Sequence, residues 1–298
     1  MLSYRLAASA AMISALVGVL ILDQRFAPWF PLWLITASVV MTRCAMEVVG
    51  LLRASGARPS ANTVVGGVMA MIVANWASHL VTPTVTQGMG TIHDPSAYAM
   101  AWPMWAFAIV VMASFLGQSA QYQTPGGIMA SISGTIFATA YVGLLGSFMI
   151  QMRWLPGPHD GLIPLAFLIA TAKGSDIGAY TVGRLIGRHK LWPRLSPNKT
   201  VEGAIGGLAF GLLSTLLLVA LCRWALIPTF SWGAAIGFGL LVAVAAQLGD
   251  LMESMIKRDC ARKDASDAIP GFGGLLDVID SLLFAGPVAY GYWLALGP

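Results

Sequence analysis

The chain has 298 residues, 57% of them hydrophobic and 10% charged, with a mean hydropathy of +0.75. Water-soluble domains carry about 25% charged residues, so the composition excludes a soluble fold and makes lipid the solvent for most of the surface. The net charge of +4 and pI near 9.1 would suit a nucleic-acid binder, but the placement of the charges along the chain argues against that partner.

Nine apolar stretches follow one another, at about 6–22, 28–42, 61–82, 96–117, 127–150, 161–182, 203–225, 229–249 and 275–296. Each approaches the roughly 20 residues that cross a hydrocarbon core about 30 Å thick. The first lies in MLSYRLAASAAMISALVGVLIL and superficially resembles a signal peptide. No convincing A-x-A cleavage site precedes Asp23 and further spans follow, so it reads as a retained transmembrane helix. The second is the shortest, with an amphipathic continuation through Met46-Glu47-Val48-Val49-Gly50-Leu51-Leu52-Arg53. The predicted fold is all-α: a polytopic transmembrane bundle of about nine spanning helices.

With the N-terminus inside, Arg5, Arg43, Arg53, Arg58, Arg184, Arg188, Lys190, Arg194, Lys199, Lys257, Arg258, Arg262 and Lys263 are cytoplasmic. Only Arg25, Arg153 and Arg223 face the other side, and Lys173 lies within a span. Thirteen bases against three follow the positive-inside rule and put the N-terminus in the cytoplasm. Outer loops are short and carry breakers such as Pro83 and Pro156-Gly157-Pro158. Trp29, Trp33, Trp102, Trp105, Trp154 and Trp232 suit interfacial belts. Cys44, Cys222 and Cys260 lack metal or disulfide spacing, and the histidines, His79, His93 and His159 among them, do not cluster.

Nine of the 13 acidic residues lie at or after Asp176. Residues 1–160 therefore read as scaffold helices and 161–298 as a catalytic region with cytoplasmic polar loops, both within one membrane-embedded unit. Two polar segments stand out. The first runs from Lys173-Gly-Ser-Asp176 through Tyr180 and Arg184 to Ser196-Pro197-Asn198-Lys199-Thr200-Val-Glu202-Gly203. The second holds Asp250, Glu253, Ser254, Lys257, Arg258, Lys263 and Asp264, then Gly271, Gly273, Gly274, Asp277, Asp280 and Ser281.

Asp250, Glu253 and Ser254 share one helix face, and Asp277, Asp280 and Ser281 repeat the spacing. Ionisable groups at membrane depth face a bundle interior or an aqueous cavity. Two such hard-oxygen clusters suit Mg²⁺ shared with substrate phosphates; structural pairing of Asp250 and Asp277 with Lys257 or Lys173 is the alternative. Lys199 and Thr200 open the seventh span, where backbone N–H groups and a lysine favour an anion. The Lys257–Lys263 bases fit either phosphate binding or topology. Glycines 271, 273 and 274 allow close approach of a ligand or simply a turn. Lys173 and Asp176 pair with each other or with Asp277. Together these features point to phosphoryl or nucleotidyl transfer at the bilayer surface.

The run Ser254-x-Ile256-Lys257-Arg258, Lys263-Asp264, Ser266, Ile269-Pro270, Gly273-Gly274-Leu275, Asp277 and Asp280 resembles the signature of phosphatidate cytidylyltransferases (CDP-diacylglycerol synthases). The upstream run is similar to the same family: Asp176, Gly178, Tyr180, Gly183-Arg184, Gly187, His189-Lys190-Leu191, Pro193, Ser196-Pro197, Lys199-Thr200, Glu202-Gly203 and Gly206-Gly207. Phe272 stands where the family usually has His, Val278 where it usually has Arg, and Lys173 where many members have Trp. Lys173 pointing into the same cavity would replace the missing Arg.

The resemblance implies that CTP and phosphatidate give CDP-diacylglycerol and pyrophosphate in phospholipid biosynthesis. It implies Asp250 and Asp277 as metal ligands, with Glu253 and Asp280 in support and room for a second, monovalent or divalent, cation. Lys257 and Asp280 join them as catalytic residues. Asp176, Tyr180, Ser196, Lys199, Thr200, Arg258, Lys263, Asp264, Gly273 and Gly274 are the substrate-binding set. Expected partners are CTP, phosphatidate, membrane lipids and a second copy as a homodimer. The expected location is a bacterial-type inner (cytoplasmic) membrane with the site facing the cytoplasm. Alternatives are a CTP-dependent lipid kinase, a cytidylyltransferase for another lipid phosphate, a transporter or an inactive paralogue.

Overall fold

A computed structural model describes residues 14–81, 99–120, 122–123, 126–155, 161–268 and 273–297. Arg5, Pro83, His93, Pro156-Gly157-Pro158, His159, Ile269-Pro270, Gly271 and Phe272 lie outside the described residues. The helices are α1 (residues 14–23), α2 (Pro31–Ala54), α3 (Ala61–Val81), α4 (Ala101–Ser119) and α5 (Ile128–Gln151). After these come α6 (Leu162–Ile186), α7 (Val201–Trp224), α8 (Trp232–Asp259) and α9 (Leu276–Leu296). The protein is an all-α polytopic membrane bundle. Among the described residues, seven helices are long and apolar enough to cross a bilayer; α3 carries a shorter apolar run, Ala61–Ala77.

Two helices outrun their apolar stretches. Helix α2 continues without a break through the amphipathic turn to Ala54, and α8 extends ten residues beyond Gly249. The α2 extension is the amphipathic continuation that the sequence suggested, whereas the α8 extension carries five charged residues, so hydropathy alone could not reveal it. Between α6 and α7 a short antiparallel hairpin forms, β1 (Lys190–Trp192) with β2 (Ser196–Thr200), where a loop was expected.

The chain divides into two compact units. One comprises residues up to Trp154 together with Ala265–Leu276; the other comprises Leu155–Asp264 and Asp277–Pro298. In the first unit the Asp23 carboxylate accepts the N–H groups of Leu32 and Trp33, both at 2.9 Å, and so caps α2. The wholly buried Arg153 guanidinium sits 3.8 Å from the centre of the Phe30 ring and donates to Gln24 Oε1 at 3.0 Å. Trp154 stacks on His79 and meets Trp76 edge-on, and Trp33 is 4% exposed. These two tryptophans belong to an internal polar-aromatic node rather than to a lipid-facing belt, whereas Trp105, 71% exposed, presents its ring outward. A π-helical segment, Thr139–Leu144, interrupts α5.

In the second unit, α6 lies along α7 with little between the backbones. A Cβ on Gly178 would meet Phe210 Cβ at 2.4 Å and the Gly206 carbonyl at 2.6 Å. In lipid, where apolar side chains have no reason to leave their solvent, such close packing drives helix association. Polar pairs inside this unit are mutually satisfied: Thr171 and Thr215 hydroxyls meet at 2.7 Å, and Gln247 donates to Ser175 Oγ and the Ala204 carbonyl. A shell of Phe167, Phe230, Phe238 and Trp293 in edge-to-face contact fills the core.

Close packing makes a direct test. Gly178→Ala should lower unfolding free energy in detergent by about 1–3 kcal/mol through overpacking. Gly50→Ala, whose Cβ meets nothing within 4 Å, should leave it unchanged or raise it.

Candidate functional site

The site grows from the polar ends of α6, α8 and α9 and the hairpin. Thr200 caps α7, its hydroxyl accepting the Gly203 N–H at 3.1 Å. Glu202 then turns back to accept the N–H groups of Arg188 and His189, at 3.0 and 3.2 Å, and meets the His189 ring at 2.5 Å. The hairpin is thereby clamped at its base, and its second strand presents Ser196, Asn198 and Lys199 to a cavity of about 560 Å³. Asp176, Tyr180, Arg184, Gln247 and Asp250 line the same cavity. Its size lies within the usual range for small-molecule sites, about 300–1,000 Å³.

Lys199 crosses from the hairpin to α8, where its Nζ pairs with Asp250 Oδ2 at 2.8 Å. One residue earlier, the missing side chain of Gly249 lets α9 approach: a Cβ there would meet the Asp280 carbonyl at 2.7 Å and Ser281 Cα at 3.2 Å. Asp250 is thus brought beside the start of α9, and the buried Asp280 carboxylate lies in the field of Asp250, Asp176 and Lys173. Lys173 Nζ donates to Asp176 Oδ2 at 2.9 Å, to the Val278 carbonyl at 2.9 Å and to Ser281 Oγ at 3.0 Å. It pairs with Asp176, as one of the two expected arrangements had it, and its ammonium rests on the backbone of residue 278.

A turn further on, Lys257 Nζ contacts Asp277 Oδ1 at 2.6 Å and also pairs with Glu253 Oε2. Glu253 is wholly buried, and its Oε1 has no hydrogen-bond partner. Within one unit, then, five carboxylates (Asp176, Asp250, Glu253, Asp277, Asp280) meet three lysines (Lys173, Lys199, Lys257). The side chains of Asp176 and Asp250 are 32% and 38% exposed, so carboxylate oxygens at the cavity are open to a further cation. Among the described residues no three His, Cys, Asp or Glu side chains form a ready metal cage. The donor chemistry fits Mg²⁺ on the narrower ground that this ion takes one or two carboxylates and completes its shell with water and phosphate oxygens.

The remaining expected residues lie elsewhere. Arg258 is exposed and donates to the Arg262 carbonyl, closing the C-terminus of α8, and Lys263 and Asp264 are exposed beyond it. Gly273 and Gly274 belong to the first unit. Gly273 takes φ 91°, the turn alternative, and the space at Gly274 is filled by the Glu47 carboxylate, 2.5 Å from where a Cβ would stand. Sequence reasoning gave no site role to the cavity-lining Asn198, Gln247 and Arg184. The only local signal was the Tyr180–Arg184 spacing of four, which the structure turns into a 2.7 Å hydrogen bond.

These features define a membrane-embedded protein with a cavity that brings basic and acidic side chains together. The chain matches the family model described as "Cytidylyltransferase family" over residues 3–296, and it belongs to that family. It is 32% identical to the phosphatidate cytidylyltransferase of Mycobacterium leprae over 96% of this chain and 86% of that one. It is 39% identical to the phosphatidate cytidylyltransferase of Staphylococcus aureus over 51% of this chain and 55% of the relative. For the enzyme of the same name in Mycobacterium bovis the figures are 34%, 58% and 53%, so these two matches span about half of each relative.

The charge arithmetic makes a prediction. Lys257→Met removes the cation held against the wholly buried Glu253 and should cost about 3–5 kcal/mol of unfolding free energy. Adding Glu253→Gln should recover most of that loss in the same denaturation measurement.

Proposed function

We propose that this chain is a phosphatidate cytidylyltransferase, joining CTP and phosphatidate to give CDP-diacylglycerol and pyrophosphate. The observation that carries the reading is the cavity walled by Lys199, Asp250, Asp176 and Tyr180, placed on the chain segments that resemble the family signature. Family membership and the names of the relatives support the same conclusion.

In this reading an unesterified oxygen of the phosphatidate phosphate attacks the α-phosphorus of CTP in line. The bond from that phosphorus to the bridging oxygen breaks, and pyrophosphate leaves. The lipid phosphate is already ionised near neutral pH, so positioning and charge stabilisation dominate over base catalysis. Lys199, facing the cavity, releases Asp250 and neutralises triphosphate oxygens. Lys257 holds Asp277 in place and adds positive charge as pyrophosphate forms. Lys173 supplies the cation at residue 278, where this chain has valine. Tyr180, Ser196 and Thr200 wall the nucleotide, and Arg258 and Lys263, exposed at and just beyond the end of α8, supply positive charge for phosphates, with Asp264 beside them. Asp250 and Asp277, supported by Glu253 and Asp280, would hold Mg²⁺, which supplies Lewis-acid neutralisation of the phosphates when bound. The site faces the cytoplasm of a bacterial-type inner membrane, the side that supplies CTP, and lipid arrives laterally between helices.

Purified protein in phosphatidate micelles with CTP and Mg²⁺ should release pyrophosphate and CDP-diacylglycerol in equal amounts; release of CDP instead would identify a kinase. Asp277→Ala should lower turnover roughly 100-fold or more while the bundle remains folded, and substantial residual activity would count against the site. Lys173→Ala should lower kcat about tenfold, the scale of one lost charge-assisted contact. Full activity would remove its assigned role.

A further inference from the structure

Glu47 takes no part in the chemistry above, yet it is the most heavily engaged buried carboxylate of the first unit. It projects from α2 and is 5% exposed. Its Oε1 accepts the Ser266 hydroxyl at 2.7 Å and the Leu275 N–H at 3.1 Å; its Oε2 accepts the Leu276 N–H at 2.8 Å. Arg43, one turn earlier, approaches to 3.7 Å. The close fit needs a glycine, because a Cβ on Gly274 would strike the carboxylate. All of these contacts lie inside one compact unit.

A buried carboxylate is retained only where charge-assisted hydrogen bonds satisfy it. Here three donors do so, and two of them are backbone N–H groups at the start of α9. The N-terminus of a helix carries partial positive charge and unpaired donors, so an anion there is stabilising. Glu47 thus serves as the N-terminal cap of α9, delivered by another helix 229 residues away in sequence. The next residue after Leu276 is Asp277, and Asp280 follows one turn later.

We propose that Glu47 is a positioning residue: by holding Ser266, the Leu275 N–H and the first N–H of α9, it fixes the helix start from which Asp277 and Asp280 follow. The inference rests on the assignment of Asp277 and Asp280 to the reaction, and it carries a readout independent of turnover. Without Glu47 the α9 start loses its cap and the 265–276 segment loses its anchor, while the transmembrane packing of α2 stays intact. Catalysis should fall through kcat rather than through the KM for CTP, because the cavity that receives the nucleotide is untouched.

The test compares wild type with Glu47→Gln, Glu47→Ala and Ser266→Ala in detergent. Amide hydrogen exchange in residues 273–280 should speed up by at least roughly tenfold to a hundredfold in Glu47→Ala, because both N–H groups at the α9 start lose their acceptor, while amides of α6 and α7 keep their protection. Glu47→Gln, which keeps the shape and one acceptor, should lie between, and Ser266→Ala should show a smaller change in the same direction. In turnover, kcat should fall about tenfold in Glu47→Ala, one lost bond's worth, while KM for CTP changes less than threefold, and the half-saturating Mg²⁺ concentration should rise. Unchanged exchange at the α9 start, or a loss of activity matched by general unfolding in every variant, would overturn the proposal. If wild type makes no CDP-diacylglycerol, the proposed reaction fails while the exchange arm still decides the role of Glu47.

Discussion

The second unit depends on lysines that tie together the carboxylates of α6, α8 and α9. Each lysine satisfies a neighbour: Lys199 holds Asp250, Lys257 bridges Glu253 and Asp277, and Lys173 ties Asp176 to Ser281 and the Val278 carbonyl. The pairs occupy each lysine, and Glu253 Oε1 is left without a hydrogen-bond partner. A bound cation with anionic phosphates is the kind of guest such a balance admits. The lysines can exchange a carboxylate for a phosphate oxygen at little electrostatic cost, because one anion replaces another. Stability and function thus draw on the same groups.

Geometry makes this charge arrangement feasible. Glycines at 178, 206 and 249 bring helices close enough for short polar side chains to meet across them. The hairpin carries Lys199 to the cavity from outside the helices, and the Thr200 cap and the Glu202 clamp fix its base. A flexible loop in the same place would spread Lys199 over many positions and weaken its hold on Asp250.

Much of this was legible in the sequence. Apolar run lengths located the helices, and the i,i+3 spacing of Asp250 with Glu253, and of Asp277 with Asp280, put each pair on one face. The same spacing offered Asp176 as one of two partners for Lys173, and the structure takes that one. What escaped had physical reasons. The last turns of α8 carry five charged residues, so hydropathy stopped short of its true end, whereas the amphipathic continuation of α2 was visible. The hairpin is only three residues paired with five, too short to show a period. Trp33 and Trp154 look like interfacial residues in composition, but their partners, Ile150 for one and His79 and Trp76 for the other, come from distant segments. Glu47 was visible only as a charge in an amphipathic turn, because its partners lie more than 200 residues away in sequence.

The central claim is that the acidic surplus around Asp250 and Asp277 receives a cation together with a nucleotide triphosphate. A structure of the purified protein with CTP and Mg²⁺ addresses it directly. The triphosphate should lie in the cavity against Lys199, with density for a cation contacting both Asp250 and Asp277. A nucleotide bound elsewhere, with the Lys199–Asp250 and Lys257–Asp277 pairs undisturbed and no cation between the aspartates, would contradict the account.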